Sequence, residues 1–290
     1  AANYLETFLK LQGKTPMLGS YSGDQSAVFH GAKVDDDYDY THQDYNLDHG
    51  TVLWALALHY ILSRDKEWLA HAATNMLKAS DWIIEQRNQT KMMDKNGLPV
   101  LHYGLLPAGH LEDNFDWGFW FAVNAYSYLG LKTTAEAFKN AGFPEADRLE
   151  KEAQNYLHDL KVSITRTSEL SPVVRLRDNT YVPYVPTRAY QRFRYFGPML
   201  SDYYSRYGGN TLLTYRLSAT REVLYGPMIL ITTGIIDPDD PLSEAILDDW
   251  EDNITLSSSL KQHIHGVVDD EYWFSRGGMV FQPNLQNPIQ

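Results

Sequence analysis

Hydrophobic and polar positions along the chain sort into recurring pairs of segments. Residues 50–62, GTVLWALALHYIL, are almost wholly apolar and too long for a strand, which predicts a helix buried on most sides. Leu47-Asp48 ahead of it supplies a cap, and Ser63-Arg64-Asp65 is a short polar break. From Lys66 to Arg87 apolar residues fall at Trp68, Leu69, Ala72, Ala73, Met76, Leu77, Ala79, Trp82 and Ile83, the spacing of a helix with one polar face. A buried helix followed through a tight turn by an amphipathic one is a helical hairpin.

The pattern recurs twice. Phe115–Leu129 predicts a second buried helix rich in aromatics, and Lys132–Ser163 a more polar helical region broken near Gly142-Phe143-Pro144. At an offset of 68 residues Asp48-His49-Gly50 falls on Asp116-Trp117-Gly118, Ala57 on Ala125 and Tyr60 on Tyr128. A third pair is Arg221–Thr233, closed by Gly234, with Asp240–Asn253, where Pro241 sits at a tolerated helix-start position. Shorter helices are expected at Asn3–Leu11 and within Phe193–Tyr207. Repeated hairpins of this kind stack or close into an array. Buried helices inside and amphipathic ones outside describe a toroid of two concentric rings. A straight solenoid has shorter, more regular repeats. The expected fold is therefore all-α, one domain over 1–290 forming part of an (α/α)6-type toroid, with minor β pieces in 164–217 and near 267–282.

The long connections 13–48, 88–114 and 164–217 are the kind that carry function in compact domains. All three precede predicted inner helices. If those helices run parallel, their loops cluster at one end, and so do the acids these loops carry: Asp44 and Asp48 before the first, Glu112, Asp113 and Asp116 before the second, with Glu222 in the first turn of the third. Acids at helix starts are favoured by capping and by the helix dipole, each worth about 0.5–2 kcal/mol. Asp48 and Asp116 fit that role. Glu112 and Asp113 lie earlier, on the loop YGLLPAGHLED, where Pro107 restricts the backbone and Gly109 permits a bend. Two carboxylates across a sugar are what glycoside hydrolysis needs, at about 6.5–9.5 Å for inversion and about 5–5.5 Å for retention. Adjacent Asp113 and neighbouring rings would both raise the Glu112 pKa, as a proton donor requires.

Composition adds to this picture. The 290 residues include 7 Trp, 20 Tyr and 11 Phe, together 13%, so rings and acids share the same loops. Tyr103, His110, Trp117 and His49 are the candidate sugar-facing neighbours, with Arg188 and Glu222 from later segments. Arg188, Arg192 and Arg194 with Tyr190 and Tyr195 form a basic aromatic loop, which fits either ion pairs with the acidic face or contacts to substrate. A formal net charge of -12 argues against nucleic acid or an anionic membrane as partner. Zero cysteines exclude disulfides and thiolate chemistry but leave cytoplasmic, periplasmic or secreted location open. There is no run of about 18 apolar residues. No H-E-x-x-H, P-loop, G-x-S-x-G or G-x-G-x-x-G occurs, so neither metal nor cofactor is expected.

Three stretches resemble the six-hairpin glycosidase superfamily, bacterial carbohydrate-active proteins built as double-ring helical barrels: YGLLPAGHLED at Tyr103–Asp113, QDYNLDHGTVLWALALHYILSRD at Gln43–Asp65 and VLYGPMILITTGIIDPDDP at Val223–Pro241. The resemblance covers most of 40–290. It implies a glycoside hydrolase acting on an oligo- or polysaccharide, with catalytic carboxylates on loops at the N-terminal ends of inner helices. By position these are Asp44 and the Glu112-Asp113 pair, with Glu112 as donor, Asp44 as base and inversion preferred. A complete ring needs six hairpins and three are clear, so the rest of a larger polypeptide is expected as partner. The alternatives are a non-catalytic glycan-binding or scaffold module, and a polysaccharide lyase. The net charge weighs against the lyase and the Arg188–Arg194 cluster weighs for it.

Overall fold

A computed structural model of the chain describes residues 2–34, 39–42, 45–111, 117–176, 178–190 and 225–255, and is mostly helical. The chain forms two compact units, Ala1–Ser163 and Ile164–Gln290.

In the first unit the elements are α1 (Ala2–Leu11), β1 (Gly31–Val34), β2 (Asp39–His42), α2 (Leu47–Ser63), α3 (Lys66–Gln89), α4 (Phe121–Ala141) and α5 (Ala146–Glu169), the last running on into the second unit. α2 and α3 are the first hairpin expected from the apolar pattern. Arg64 turns the chain in the left-handed region at φ 58°, and Asp65 caps α3 by accepting the Trp68 N–H at 2.9 Å. The faces match the spacing: Leu53, Leu56 and Ala57 of α2 and Leu69, Ala72, Met76, Ala79 and Ile83 of α3 are fully buried.

α4 and α5 are the second hairpin, broken where Gly142-Phe143-Pro144 predicts. Gly142 takes φ 83°, which glycine adopts without strain. The Phe143 N–H reaches back to Phe138 O at 2.9 Å, and the two phenyl rings stack at 4.6 Å. This closing motif ends a helix sharply. The boundaries of the buried helix differ from the sequence reading. α4 begins at Phe121 instead of Phe115, because Gly118 pairs its backbone with Gly109 and Phe119-Trp120 stay extended. It continues past Leu129 to Ala141. Asp48 sits in the first turn of α2, and its carboxylate accepts the Gly31 N–H at 2.7 Å, tying the preceding loop to α2.

The two buried helices pack side by side through glycine. A side chain at Gly50 would strike the backbone of Tyr126 and Ser127, and one at Gly130 would lie 2.6 Å from Gly50 O and 3.1 Å from Leu53 Cβ. Gly50 meets 126–127 and Leu53 meets 130, so contact advances in the same direction along both helices: α2 and α4 are parallel. The antiparallel β1–β2 hairpin, Gly31 opposite His42 to Val34 opposite Asp39, was not foreseen from sequence.

The second unit contains a short antiparallel hairpin, β3 (Val174–Arg175) with β4 (Tyr181–Val182), within the segment expected to hold strands. It also contains α6 (Met228–Thr232) and α7 (Pro241–Asp249), followed by a π-helical turn at Trp250–Thr255. The described part of the third apolar run is a short helix, because Pro227 limits where it can start. Asp240 caps α7 by accepting the Leu242 N–H at 2.9 Å, and Pro241 occupies its first turn. The helix expected within Phe193–Tyr207 and the β piece near 267–282 lie outside the described residues.

Candidate functional site

The N-terminal ends of α2 and α4 are joined by three loop segments. Asn46, at the start of α2, is fully buried yet does not cap the helix. Its Nδ2 donates to Leu18 O at 2.8 Å and lies 3.3 Å from the Tyr21 hydroxyl. The same Leu18 carbonyl accepts the His110 N–H at 3.0 Å, while the Ser20 N–H donates to Ala108 O at 2.7 Å. Gly109 exchanges two 3.1 Å backbone bonds with Gly118 and accepts Trp120 Nε1–H at 3.1 Å. Segments 18–21, 108–111 and 117–120 thereby form one seat over both helix starts. A Cβ at Gly109 would sit 2.6 Å from Asn46 Nδ2.

The loop ahead of this seat is anchored from below by Arg87, a fully buried cation on the apolar face of α3. Its Nε donates to Gly104 O and its Nη2 to Asp159 Oδ2, each at 2.8 Å, and its guanidinium lies 4.0 Å above the Tyr156 ring. Burial lowers the Arg87 pKa, opposed by Tyr156, Asp159 and Glu152. Burial raises that of Asp159, opposed chiefly by Arg87. Asn124 of α4 completes the anchor. Its Oδ1 accepts the Leu106 N–H and the Tyr156 hydroxyl, and its Nδ2 donates to Trp120 O. With Leu105 and Leu106 buried, YGLLP is held at backbone, side chain and charge.

Glu112, Asp113, Asp44 and Glu222 lie outside the described residues. Trp117 is on the seat and is 53% exposed, a ring presented to solvent. Phe119 beside it stacks on His102 at 4.1 Å. Burial lowers the His102 pKa, which favours a neutral imidazole. Tyr103 lines a cleft against α5 with Pro99, Leu101, His158, Asp159 and Ser163. Arg188 is half-buried in the second unit. His110 is buried beneath the seat, 1% exposed.

His49 is interior too. Its Nδ1 accepts the Phe29 N–H at 3.1 Å, so Nε2 carries the proton and donates to Ala79 O at 3.2 Å. Both nitrogens therefore serve the fold, clamping the first long loop to α2 and α3. Burial pushes its pKa down from 6.5 to about 3, with His30 adding to the shift and the Ala79 bond opposing it. A depressed histidine contributes stability that is present above pH 6.5 and is lost as pH falls toward 3, because only the unfolded chain takes up the proton in that window. The His49 share of the loss reaches roughly 2–3 kcal/mol by pH 4.5, at about 1.4 kcal/mol per pH unit. Urea unfolding at pH 7.5, 6 and 4.5 measures it. His49→Gln is less stable at pH 7.5 and loses correspondingly less on acidification; equal slopes for both proteins would refute the clamp.

Asn46, Arg87 and Asn124 were not singled out from sequence. Arg87 had a signal: it continues the buried face of α3 one turn beyond Ile83. Asn46 had only its place just before an apolar run. Among the described residues no cluster of His, Asp and Glu could hold a metal, and no helix is long and apolar enough to cross a membrane. Comparisons with protein-family models, curated proteins and solved structures gave no match.

Proposed function

We propose that the chain is a carbohydrate-active domain, a glycoside hydrolase, whose carboxylates act at the N-terminal ends of its buried helices. The observation that supports this reading is the parallel packing of α2 and α4. It puts the loops ahead of both helices at one end of the first unit, where Asn46 at the start of α2 and Gly118 ahead of α4 both meet the same glycine, Gly109. Alternation of parallel buried helices with amphipathic ones is also what an (α/α)6-type toroid requires, and we take that as the architecture. Glu112 is the proton donor, Asp113 beside it keeps that carboxyl protonated by like-charge repulsion, and Asp44 activates water. Trp117 offers an apolar face for a pyranose ring.

Turnover of a panel of neutral and acidic oligosaccharides, read by reducing-end release, tests this. Glu112→Gln and Asp44→Asn are each expected to lower kcat by about 10²–10⁴ with folding intact. Hydrolysis unaffected by either change would remove the assignments. The exposed Trp117 ring also fits a non-catalytic glycan-binding module, and carbohydrate binding without turnover would select that reading. An unsaturated, ultraviolet-absorbing product would identify a lyase instead.

A further inference from the structure

We infer that Asn46 is a positioning residue that sets the spacing between the N-terminal ends of α2 and α4, and with it the gap across which carboxylates on the two loops would work. The second half of this inference rests on the hydrolase reading. The junction itself rests on one carbonyl. Leu18 O accepts both Asn46 Nδ2 at 2.8 Å, from the start of α2, and the His110 N–H at 3.0 Å, from the loop that leads on to α4. Gly109, next to His110, packs directly on the Asn46 amide, where even a methyl group would come to 2.6 Å. Gly109 is in turn fastened to the start of α4 through Gly118 and the Trp120 indole. A shift of the Asn46 amide therefore moves the 108–111 loop against α2, with no slack at either contact.

The Asn46 side chain is also not used the way stability alone would use it. It stands at the helix-start position where asparagine ordinarily caps, and it makes no cap bond. It is 0% exposed, yet among the described residues its Oδ1 has no hydrogen-bond partner. Buried amides in a purely structural role are paired at both ends. Here the donor end is kept at the shared carbonyl and the acceptor end is left over.

Amide hydrogen exchange on the full chain tests the junction without needing an assay. Asn46→Asp keeps the shape and turns the donor into an acceptor facing Leu18 O. The expected result is exchange at least tenfold faster at the Gly109, His110 and Gly118 amides, with the buried amides of α3 and α5 within twofold of wild type. Gly109→Ala presses on the same contact from the other side and is expected to give the same local pattern, which covers the case of an Asn46→Asp chain that does not fold. Unchanged exchange at the three amides, or equal acceleration throughout α3 and α5, would overturn the inference. In an active wild type, Asn46→Asp is further expected to lower kcat at least tenfold with KM within twofold. Wild-type chain that hydrolyses no glycan would remove the hydrolase reading, and the exchange pattern would still judge the junction.

Discussion

Arg87→Ala is expected to cost roughly 3–5 kcal/mol of stability, the loss typical of breaking a buried ion pair from one side. The reason lies in what the truncation leaves behind. Asp159 loses the guanidinium that offsets its burial, Gly104 O loses its donor, and the Tyr156 ring loses the cation above it. Lysine does not substitute, because an ammonium cannot serve a carbonyl and a carboxylate through two fixed N–H vectors while stacking on a ring. Arg87→Lys should recover less than half of the loss. Removing both charges is milder: Arg87→Met with Asp159→Leu leaves no unpaired buried ion and is expected to be more stable than Arg87→Ala alone. Urea denaturation of the four proteins measures this. A loss under about 1 kcal/mol for Arg87→Ala would mean that the anchor of the YGLLP loop lies elsewhere.

The second large effect is at the α2–α4 crossing. In a solvent-facing helix, glycine to alanine gains up to about 1 kcal/mol. Gly50→Ala should instead lose roughly 2–3 kcal/mol, since the new methyl group meets the Tyr126–Ser127 backbone, which cannot rotate out of the way. Gly142→Ala is the useful contrast. No described atom lies within 4 Å of its would-be Cβ, so its cost comes from the left-handed φ of 83° and should be nearer 1 kcal/mol. Thermal or chemical unfolding that ranks Gly142→Ala above Gly50→Ala would contradict the close parallel packing.

Much of the helical frame was legible in the sequence, and the reason is period. Trp68 to Ile83 and the 50–62 run bury their apolar residues as the 3.6-residue spacing requires, and Asp65, Gly142 and Asp240-Pro241 mark ends by local chemistry that tertiary contacts do not override. The start of α4 was not legible. Phe115 to Trp120 is as apolar as the helix after it, and what holds off the helix is long-range strand pairing, Gly118 with Gly109 and then the extended Phe119-Trp120, which no local pattern encodes. The same holds for the pairing of β1 with β2. For the site, the long loops were legible in the pattern, whereas the parallel direction of the helices entered only as a condition and the residues that hold the loops were not legible. His49 shows why. A histidine at a helix start in a functional-looking loop reads as a ligand-facing group, but its neighbours fold over it and use both nitrogens. Asn46 and Arg87 show the converse, polar side chains that gain their roles only when Leu18, Gly104 and Asp159 arrive from distant segments.

We propose that carboxylates on the loops ahead of α2 and α4 work on a sugar. A crystal structure with a bound oligosaccharide tests it most directly. Expected there are a glycosidic oxygen within hydrogen-bond distance of Glu112 or Asp113, the Asp44 carboxylate on the other side of the ring with about 6.5–9.5 Å between the carboxylates, and a pyranose face against Trp117. A sugar seated away from the Gly109 junction, or Asp44 and Glu112 on opposite ends of the helices, would contradict it.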